Sequence, residues 1–550
     1  MRSSPALRLA PALSLVSLLA ACSDGPLSAA APLGECRPGG PLLVLEGAVS
    51  PAEARSHRAL PFAVAEGSQR LELRYGWTDR PGPPASPLTA TTLDLGLFDA
   101  DGLFSVRAAR GWGGSRQGRL DRDQPPIFIE AGAADRGFQP GPIEPGVWTV
   151  DLGIAAVAPQ GADYRVEIRC LDRPGEALAA VDAVDPLHVA RRAPGWYHGD
   201  FHMHAFHSQP DGPEDDEFIA QSRAAQLDFL MVTEYVTGRH WQTLGATQRR
   251  HPDLLIWPGR EIITYFGHAN THGETPSVLD YRHGFETVRL GEIQRLAKAD
   301  GALFQVNHPT LFPGPAFQNF CRGCEFELGG EIDWRQVDTL EVLTGPILAT
   351  GSDIGLPLPG DLAIEQPFVA TAIAYWEARL QEGFKITAVS GSDSKGVDAP
   401  AERARKGYGS SATAVFADEL SRPALKRAIQ AGHAYVRTRG VAGSPAVTFE
   451  AETADGRRGI YGDVLDAGEG ETVTLTTTLE GAAGQVLSYH RNGQAVLSVA
   501  VPSDPYVHRL AVQRDPASEG PLGTHWRIEV RDARTRTVIG NPVFLRGPGG

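Results

Sequence analysis

Strand-like and helix-like segments alternate between residues 195 and 440, and this alternation restricts the possible folds more than any other feature of the chain. Short apolar runs typical of buried strands occupy residues 229–232, 254–257, 302–306 and 386–389. Segments with apolar residues at helical spacing occupy residues 214–227, 291–300 and 419–431. This order predicts a parallel sheet or a β/α barrel with its helices packed outside.

The regions on either side, residues 36–185 and 441–550, have β character without intervening helices. Alternating runs such as residues 70–75 and 148–152 are separated by Gly and Pro, as in domains built from many short strands. We expect a β-sandwich or jelly roll in the first region and an immunoglobulin-like β-sandwich in the second. The chain is therefore predicted to be multidomain.

Composition excludes several classes of protein. The 550 residues are 42% hydrophobic and 21% charged, which is ordinary for globular proteins and argues against extensive disorder. The net charge of −15 argues against a protein that coats nucleic acid, because such proteins present a basic face. No apolar run long enough to span a bilayer follows the first 25 residues, so a polytopic membrane protein is not expected.

The first 35 residues have the pattern of a secreted bacterial lipoprotein. Arg2 and Arg8 precede an apolar stretch at 9–21, which is too short for a stable span and typical of a signal peptide. Leu19-Ala20-Ala21-Cys22 resembles a lipobox. We therefore predict a signal peptide at 1–21, a lipid on Cys22 and a tether at 22–35. This places the protein in the cell envelope, periplasmic or at the outer membrane. The alternative is an ordinary signal peptide followed by a chance cysteine.

The remaining four cysteines lie in a compartment that permits disulfides. Cys36 and Cys170 bracket the first β domain, and a bridge between them would join its two ends. Cys321 and Cys324 form a CxxC pair, for which we favour a structural disulfide over free thiols or a separate metal site. A single CxxC lacks the four ligands of structural zinc.

Histidines and carboxylates follow several strand segments of the central region. His202 and His204 are two residues apart, so on a strand their imidazoles face the same side. Other strand ends carry Glu261, His268, His308 and Asp393. In a β/α barrel, functional residues gather at the carboxyl ends of the strands. Imidazoles and carboxylates without a thiolate suit zinc, manganese or iron, so the sequence predicts a metal site.

The order of these motifs resembles that of the PHP (polymerase and histidinol phosphatase) superfamily of metallohydrolases. The chain carries an HxH, then Val232-Thr233-Glu234, a Gly-x-Glu, a Gly-His, an Asn-His-Pro and a Gly-Ser-Asp. Phrases such as Gly267-His268-Ala269-Asn270 and Glu341-Val342-Leu343-Thr344-Gly345-Pro346, together with the flanking β domains, are similar to the CehA/McbA branch. The resemblance covers nearly all of the chain after the leader.

This resemblance implies a distorted seven-stranded β/α barrel that holds divalent metal ions. His202 and His204 would bind the first ion, with Asp393 beside them. Glu261 would bridge two ions. The second ion would be completed by His268 and His308.

Two departures from the superfamily pattern suggest that a third ion is absent. Many PHP enzymes have histidines where this chain has Tyr235 and Lys395, and both are missing together. We therefore predict two ions, with Lys395 and Tyr235 contacting an anionic part of the substrate. His207, Tyr235 and Lys395 are candidates for giving a proton to the leaving group, and for His207 a histidine at the rim is an equally good interpretation.

The leading functional prediction is a metal-dependent hydrolase that attacks phosphoesters with a hydroxide shared by two ions. The first alternative is a carboxylic or carbamate ester hydrolase with the same centre. The second is a non-catalytic binding lipoprotein, which retention of all six predicted ligands argues against. The expected substrate is a small, anionic ester, and no nucleic acid partner is expected.

Overall fold

The computed structural model describes residues 33–82, 89–102, 109–115, 124–173, 180–208, 212–273, 280–314, 317–318, 320–360, 362–397, 399–514, 516–517 and 519–548. The predicted leader, the predicted lipid acceptor Cys22 and most of the predicted tether lie outside this described part. Among the described residues, no helix is long and apolar enough to cross a membrane. The described part is multidomain and built mostly from strands, as the sequence predicts.

The N-terminal domain is a two-layer β structure. Its described strands are β1 (Glu35–Cys36), β2 (Leu43–Val49), β3 (Ser56–Val64), β4 (Arg70–Asp79), β5 (Thr92–Phe98), β6 (Ala109–Trp112), β7 (Ile127–Glu130), β8 (Gly146–Ala156) and β9 (Ala162–Leu171). One sheet has the order β1-β3-β8-β5-β6 and the other the order β2-β9-β4-β7. Successive side chains of a strand face opposite sides, so Leu71, Leu73 and Tyr75 of β4 all enter the shared core.

A disulfide joins the two layers of this domain. Cys36 lies in β1 of one sheet, Cys170 lies in β9 of the other, and the two are bonded. Both cysteines are buried in the core between the sheets. The bridge predicted from the positions of these cysteines is confirmed.

The central region contains the alternating strands and helices that the sequence predicts. Its strands are β10 (Val189–Arg191), β11 (Gly195–Met203), β12 (Phe229–Tyr235), β13 (Leu255–Thr264), β14 (Gly267–His272), β15 (Leu303–Val306), β16 (Thr339–Thr344), β17 (Leu348–Ala349), β18 (Ile364–Glu365), β19 (Thr387–Gly391), β20 (Ala412–Ala417), β21 (Leu420–Ser421) and β22 (Ala434–Arg437). The α-helices are α1 (Asp215–Ala224), α2 (Leu244–Arg250), α3 (Leu290–Ala299), α4 (Gly351–Ile354), α5 (Pro367–Gln381), α6 (Pro400–Lys406), α7 (Arg422–Ala431) and α8 (Gly440–Gly443). Short 3₁₀ turns lie at Pro51–Glu53, Arg239–Gln242, Leu328–Gly330 and Trp334–Gln336.

Local sequence signals explain where the longer helices begin and end. Helix α7 begins after Ser421, whose side chain accepts a hydrogen bond from the Ala424 amide at 3.3 Å. It ends at Gly432, whose φ of 85° is the left-handed conformation that glycine adopts without strain. Helix α3 buries Leu290, Ile293 and Ala297 along one side.

Seven neighbouring strands form a ring around the predicted ligands, in the order β19-β16-β15-β14-β13-β12-β11. The ring closes at the carboxyl ends of its first and last strands. There the Asp393 amide donates to the His202 carbonyl at 2.8 Å, and the His204 amide donates to the Ser394 carbonyl at 2.9 Å. Closure therefore occurs at the residues that were predicted to bind metal.

The distorted seven-stranded β/α barrel that the resemblance implies is not confirmed. Strand β14 runs antiparallel to both β13 and β15, and the chain passes from β13 to β14 without a helix. The sheet also continues from β11 through β20 and β22 to β31 (Arg536–Gly540) of the C-terminal region. The antiparallel strand has a physical origin, because Thr264 and Gly267 form a tight turn in which Gly267 has a φ of 150°.

The C-terminal region is also built from two layers of sheet. Its remaining strands are β23 (Ala446–Thr453), β24 (Arg458–Ile460), β25 (Val464–Asp466), β26 (Thr472–Glu480), β27 (Val486–Arg491), β28 (Gln494–Ala500), β29 (Tyr506–Gln513), β30 (Thr524–Arg531) and β32 (Val543–Arg546). The sheet β24-β23-β26-β29 faces the end of the long sheet that contains β31-β30-β27-β28. Because that long sheet begins in the central region, the two regions share backbone hydrogen bonds.

A buried ion-pair network also fixes helix α5 to the C-terminal region. Glu377 of α5 lies 2.7 Å from Nε2 of His525 and pairs with the guanidinium of Arg527, both on β30. Burial raises the pKa of Glu377, but His525 and Arg527 outweigh this effect and lower the pKa. Arg527 is itself buried and pairs with Glu529 at 2.8 Å.

We expect Glu377→Ala to lower the stability of this interface by about 3 kcal/mol, because it leaves buried charge without its partner. The measurement is urea denaturation followed by tryptophan fluorescence. The control is Glu292→Ala, which removes an exposed pair with Arg295 and should leave the denaturation midpoint nearly unchanged. Equal denaturation midpoints for the two variants would contradict the role given to Glu377.

Candidate metal centre

The six predicted ligands come from three strand ends and from the β13–β14 hairpin, which carries Glu261 and His268. His202 and His204 lie at the end of β11, His308 follows β15, and Asp393 follows β19. Two of these residues have left-handed backbones, with a φ of 25° at His308 and 47° at Asp393. Such conformations cost energy outside glycine and cluster at functional sites, because they turn the side chain sharply off the strand.

The carboxylate of Glu261 lies between two groups of imidazoles. Its Oε2 lies 3.2 Å from Nε2 of His202 and 3.2 Å from Nε2 of His204. Its Oε1 lies 3.0 Å from Nδ1 of His268 and 3.8 Å from Nε2 of His308. Each carboxylate oxygen therefore faces its own pair of imidazole nitrogens, which is the arrangement of a carboxylate that bridges two ions.

The first group is completed by Asp393. Its Oδ1 lies 3.1 Å from Nε2 of His204 and 3.7 Å from Nε2 of His202. The ligand atoms of His202, His204, Glu261 and Asp393 all lie within 4.8 Å of one another. Three buried atoms that point into this group, both Nε2 atoms and Glu261 Oε2, have no hydrogen-bond partner among the described residues. A divalent ion would satisfy them together, so the donor set fits a metal.

Electrostatics keeps both carboxylates ionised. Burial raises the pKa of Glu261, but His202, His204 and His268 outweigh burial and hold the pKa well below its usual range. Burial also raises the pKa of Asp393, and Lys395 together with His202 and His204 holds it well below its usual range. Metal ligands must be deprotonated, so both groups are ready to bind at neutral pH.

Neighbouring acceptors fix which nitrogen of each imidazole faces the centre. Nε2 of His268 lies 2.6 Å from the Arg322 carbonyl and donates to it. Nδ1 is then the unprotonated nitrogen, and its lone pair faces Glu261. Nδ1 of His308 donates to the Cys324 carbonyl at 3.1 Å, which leaves Nε2 free. Such outer hydrogen bonds orient metal-binding histidines and increase their basicity.

Glu341 performs the same task for His202 and was not predicted as a site residue. Both of its oxygens lie near Nδ1 of His202, at 3.3 and 3.4 Å, and Oε2 also accepts the His308 amide at 3.0 Å. Glu341 is fully buried on β16. A buried carboxylate on a ring strand is the signal that could have identified it.

Asp200 and Gly391 hold the ring closed at the site. Asp200 accepts from the amides of His202, Ser392 and Gly409 at 3.1, 2.9 and 2.9 Å. A Cβ added at Gly391 would collide with the side chains of His202 and Glu341. Glycine is therefore required where β19 approaches the HxH strand.

Lys395 and Tyr235 lie together at the exposed side of the centre. Nζ of Lys395 lies 2.8 Å from Oδ1 of Asp393 and 5.6 Å from the centre of the Tyr235 ring. The Tyr235 ring stacks on His204 at 4.1 Å. The side chains of Lys395 and Asp393 are 42% and 29% exposed, whereas those of His202 and His204 are 0% exposed. The centre is therefore open to solvent on the side of Lys395.

His207 lies in a different buried cluster. Its Nδ1 is 3.4 Å from Oε1 of Glu234, and its Nε2 is 2.8 Å from Oγ1 of Thr243. Both ring nitrogens are thus directed at structural partners. This geometry favours a structural role, and the catalytic assignment of His207 stays a prediction.

No family model matches the chain, and no curated protein matches it. Among solved structures, the chain is similar to a two-domain protein from Bacteroides vulgatus ATCC 8482 containing a predicted PHP-like metal-dependent phosphoesterase. The identity is 18% and the TM-score is 0.33, and the match covers 67% of this chain and 100% of that chain.

The central position of Glu261 predicts how the ion content responds to mutation. We expect about two transition-metal ions per chain in the purified protein, as in two-metal sites. Glu261→Ala should lose most of both ions, whereas Asp393→Ala should lose only the ion beside His202 and His204. Elemental analysis after purification without chelator or affinity metal measures this.

The matched control for that measurement is Glu341→Gln, which keeps all six ligands. Gln can still accept from Nδ1 of His202 but lacks the negative charge, so the weakened hydrogen bond should weaken binding by about 10- to 100-fold without lowering the ion content at saturating metal. Equal ion content in Glu261→Ala and the unaltered protein would contradict a bridging role.

Proposed function

We propose that the protein is a metal-dependent hydrolase with two ions, acting on small phosphoesters. The observation that carries the proposal is the Glu261 carboxylate, each oxygen of which faces a separate pair of imidazoles. One ion would be held by His202, His204 and Asp393 and the other by His268 and His308, with Glu261 shared. Ions bound there would supply Lewis-acid chemistry, polarising the scissile group and lowering the pKa of water.

The residues of the chain then bind and orient the substrate. Partial burial lowers the pKa of Lys395, but Asp393 and Tyr235 outweigh it and raise the pKa, so the ammonium stays charged. It supplies a fixed positive charge for a phosphate at the exposed side of the centre. Partial burial raises the pKa of Tyr235, so its hydroxyl keeps the proton and can donate a hydrogen bond to the same group.

The second candidate, a carboxylic or carbamate esterase, would use the same ions with a neutral substrate. The exposed Lys395 ammonium beside Asp393 favours an anionic substrate over a neutral one. The two candidates therefore differ in how much they depend on Lys395.

We expect Lys395→Ala to lower kcat/KM for a phosphoester by about 10- to 100-fold, the equivalent of one lost charge-assisted hydrogen bond. The assay compares phosphate monoesters and diesters with neutral aryl esters and carbamates on metal-loaded protein. Ion content is measured in parallel, because Lys395 also contacts Asp393.

The control is Lys406→Ala, which removes an exposed lysine that pairs with Glu402 on the surface of α6. It should leave kcat/KM unchanged. An unchanged phosphoester rate in Lys395→Ala, or faster turnover of neutral esters than of phosphoesters, would argue for the second candidate. No hydrolysis of any of these substrates by fully loaded protein would argue against a hydrolase.

We also propose that the hydrolase acts in the bacterial cell envelope, held by a lipid on Cys22. The lipobox-like leader supports this location, and the Cys36–Cys170 disulfide is compatible with an oxidising compartment. We expect Cys22→Ala to move the protein from the membrane fraction to the soluble fraction, as judged by fractionation and labelling with a fatty acid. If the Cys22→Ala variant and the unaltered protein divide between the two fractions in the same way, this would contradict a lipid on Cys22.

A further inference from the structure

The CxxC loop contacts both histidines of the second ion site. The carbonyl of Arg322, inside the loop, accepts from His268, and the carbonyl of Cys324 accepts from His308. Gly323 has a φ of 74°, and a Cβ there would collide with the backbone of Thr264 and Tyr265 in the turn before His268. The loop therefore packs against the β13–β14 hairpin, which carries His268. Its two carbonyls accept hydrogen bonds from His268 and His308.

The sulfur of Cys324 lies beside the same two histidines. Ligand atoms of His268, His308 and Cys324 all lie within 4.8 Å of one another. Cys324 is 2% exposed, whereas its partner Cys321 is partly exposed. The two sulfurs are bonded to each other, as the sequence favoured. The proposed function leaves this sulfur unused.

The chemistry of sulfur makes this position conditional on the redox state. A thiolate is a strong ligand for zinc, but a disulfide sulfur carries no negative charge to offer. Ligand atoms around a tetrahedral zinc are about 3.5 Å apart, so a small rotation of a freed Cys324 side chain would complete the group. In that group the added negative charge would face the imidazoles of His268 and His308.

We propose that Cys324 is a redox-controlled ligand of the ion held by His268 and His308. This inference rests on the proposed metal centre. In the oxidised protein the sulfur is kept in the Cys321–Cys324 disulfide, and the ion has only imidazole and carboxylate ligands. After reduction the freed Cys324 thiolate would be able to hold the same ion together with His268 and His308, which would hinder the access of substrate or water.

The reduction requires a dithiol. Its two sulfurs are oxidised to a disulfide, two electrons pass to the Cys321–Cys324 bond, and that bond breaks. Cys321 keeps a proton as a thiol. The Cys324 proton is released to solvent as its sulfur binds the ion. Because Cys321 is the more exposed sulfur, it is the expected point of attack.

Thiolate binding also changes the preferred metal. Soft sulfur ligands favour zinc over manganese, whereas imidazoles and carboxylates accept either. The reduced centre is therefore expected to be a zinc site with hindered access, and the oxidised centre an open site. In this arrangement the disulfide state is the active one, which suits an oxidising compartment.

Cobalt absorption tests this without relying on activity. The purified full chain is reduced with a dithiol, freed of the dithiol by anaerobic gel filtration, and loaded with Co²⁺. We expect a thiolate-to-cobalt charge-transfer band in the near ultraviolet, at one thiolate per chain. Oxidised protein loaded in the same way should show cobalt bands without it.

Two single variants separate the cysteines. Cys321→Ser leaves Cys324 as a free thiol and should show the charge-transfer band without reduction. Cys324→Ser should bind cobalt but never show the band. Circular dichroism checks that each variant folds, and the wild-type comparison stands if either does not. Thiol titration of the reduced protein confirms that the bond has opened.

The outcomes separate this inference from the proposed function. Cobalt bound in both redox states with no thiolate band, in protein with titrated free thiols, would overturn the role of Cys324 and leave the hydrolase intact. If neither the oxidised nor the reduced protein binds cobalt, the metal centre is overturned and this inference with it. A band that persists in Cys324→Ser would assign the thiolate to Cys321 instead and overturn the inference.

Discussion

The structure depends on one buried carboxylate surrounded by imidazoles. Glu261 is 2% exposed and lies between His202 and His204 on one side and His268 and His308 on the other. An ionised carboxylate in this environment is expensive unless positive charge compensates it. Protonated imidazoles can do so, as the lowered pKa of Glu261 indicates, but two cations do so while leaving every histidine neutral. The burial of this charge is thus explained best by a function that needs the ions.

The fold is arranged so that this group can form. The HxH strand and the strand before Asp393 meet only at their carboxyl ends, through the backbone bonds of His202 and Asp393. Their approach requires glycine at 391, and Asp200 secures it with hydrogen bonds to three amides. The last two predicted ligands to be placed, His308 and Asp393, need left-handed backbones to aim at the same point. Two of the left-handed backbones among the described residues therefore lie where the chain must turn toward the centre.

The sequence predicted the buried strands, which are apolar runs, and the ligands, which lie near strand ends. Apolar runs identified β12, β13, β15 and β19, and residue type at strand ends identified six side chains that the structure brings together. Strand direction was not predictable, because β14 carries the same residue types as a parallel strand and only the turn at Gly267 reverses it. Glu341 was missed because a mid-strand carboxylate has no spacing signature. Its role depends on the ring that places it beside His202. The separation of His207 from the ligands likewise depends on Glu234, a tertiary contact.

The N-terminal domain contacts residues next to the candidate metal centre. Trp112 of β6 lies edge-on to Tyr235 with ring centres 5.7 Å apart, so this domain forms one wall of the exposed side where a substrate would enter. Asp94 of β5 lies 3.5 Å from Arg322, whose own carbonyl holds His268. The same domain therefore contacts His268 through the CxxC loop. It also contacts Tyr235, whose ring stacks on His204. Asp94 is fully buried and forms a charged pair with Arg322. Moving the domain away from His268 would cost free energy, because it would leave the buried charge of Asp94 without this partner. The flanking sandwich thus fixes the geometry of the ring at the point where the ring itself is open to solvent.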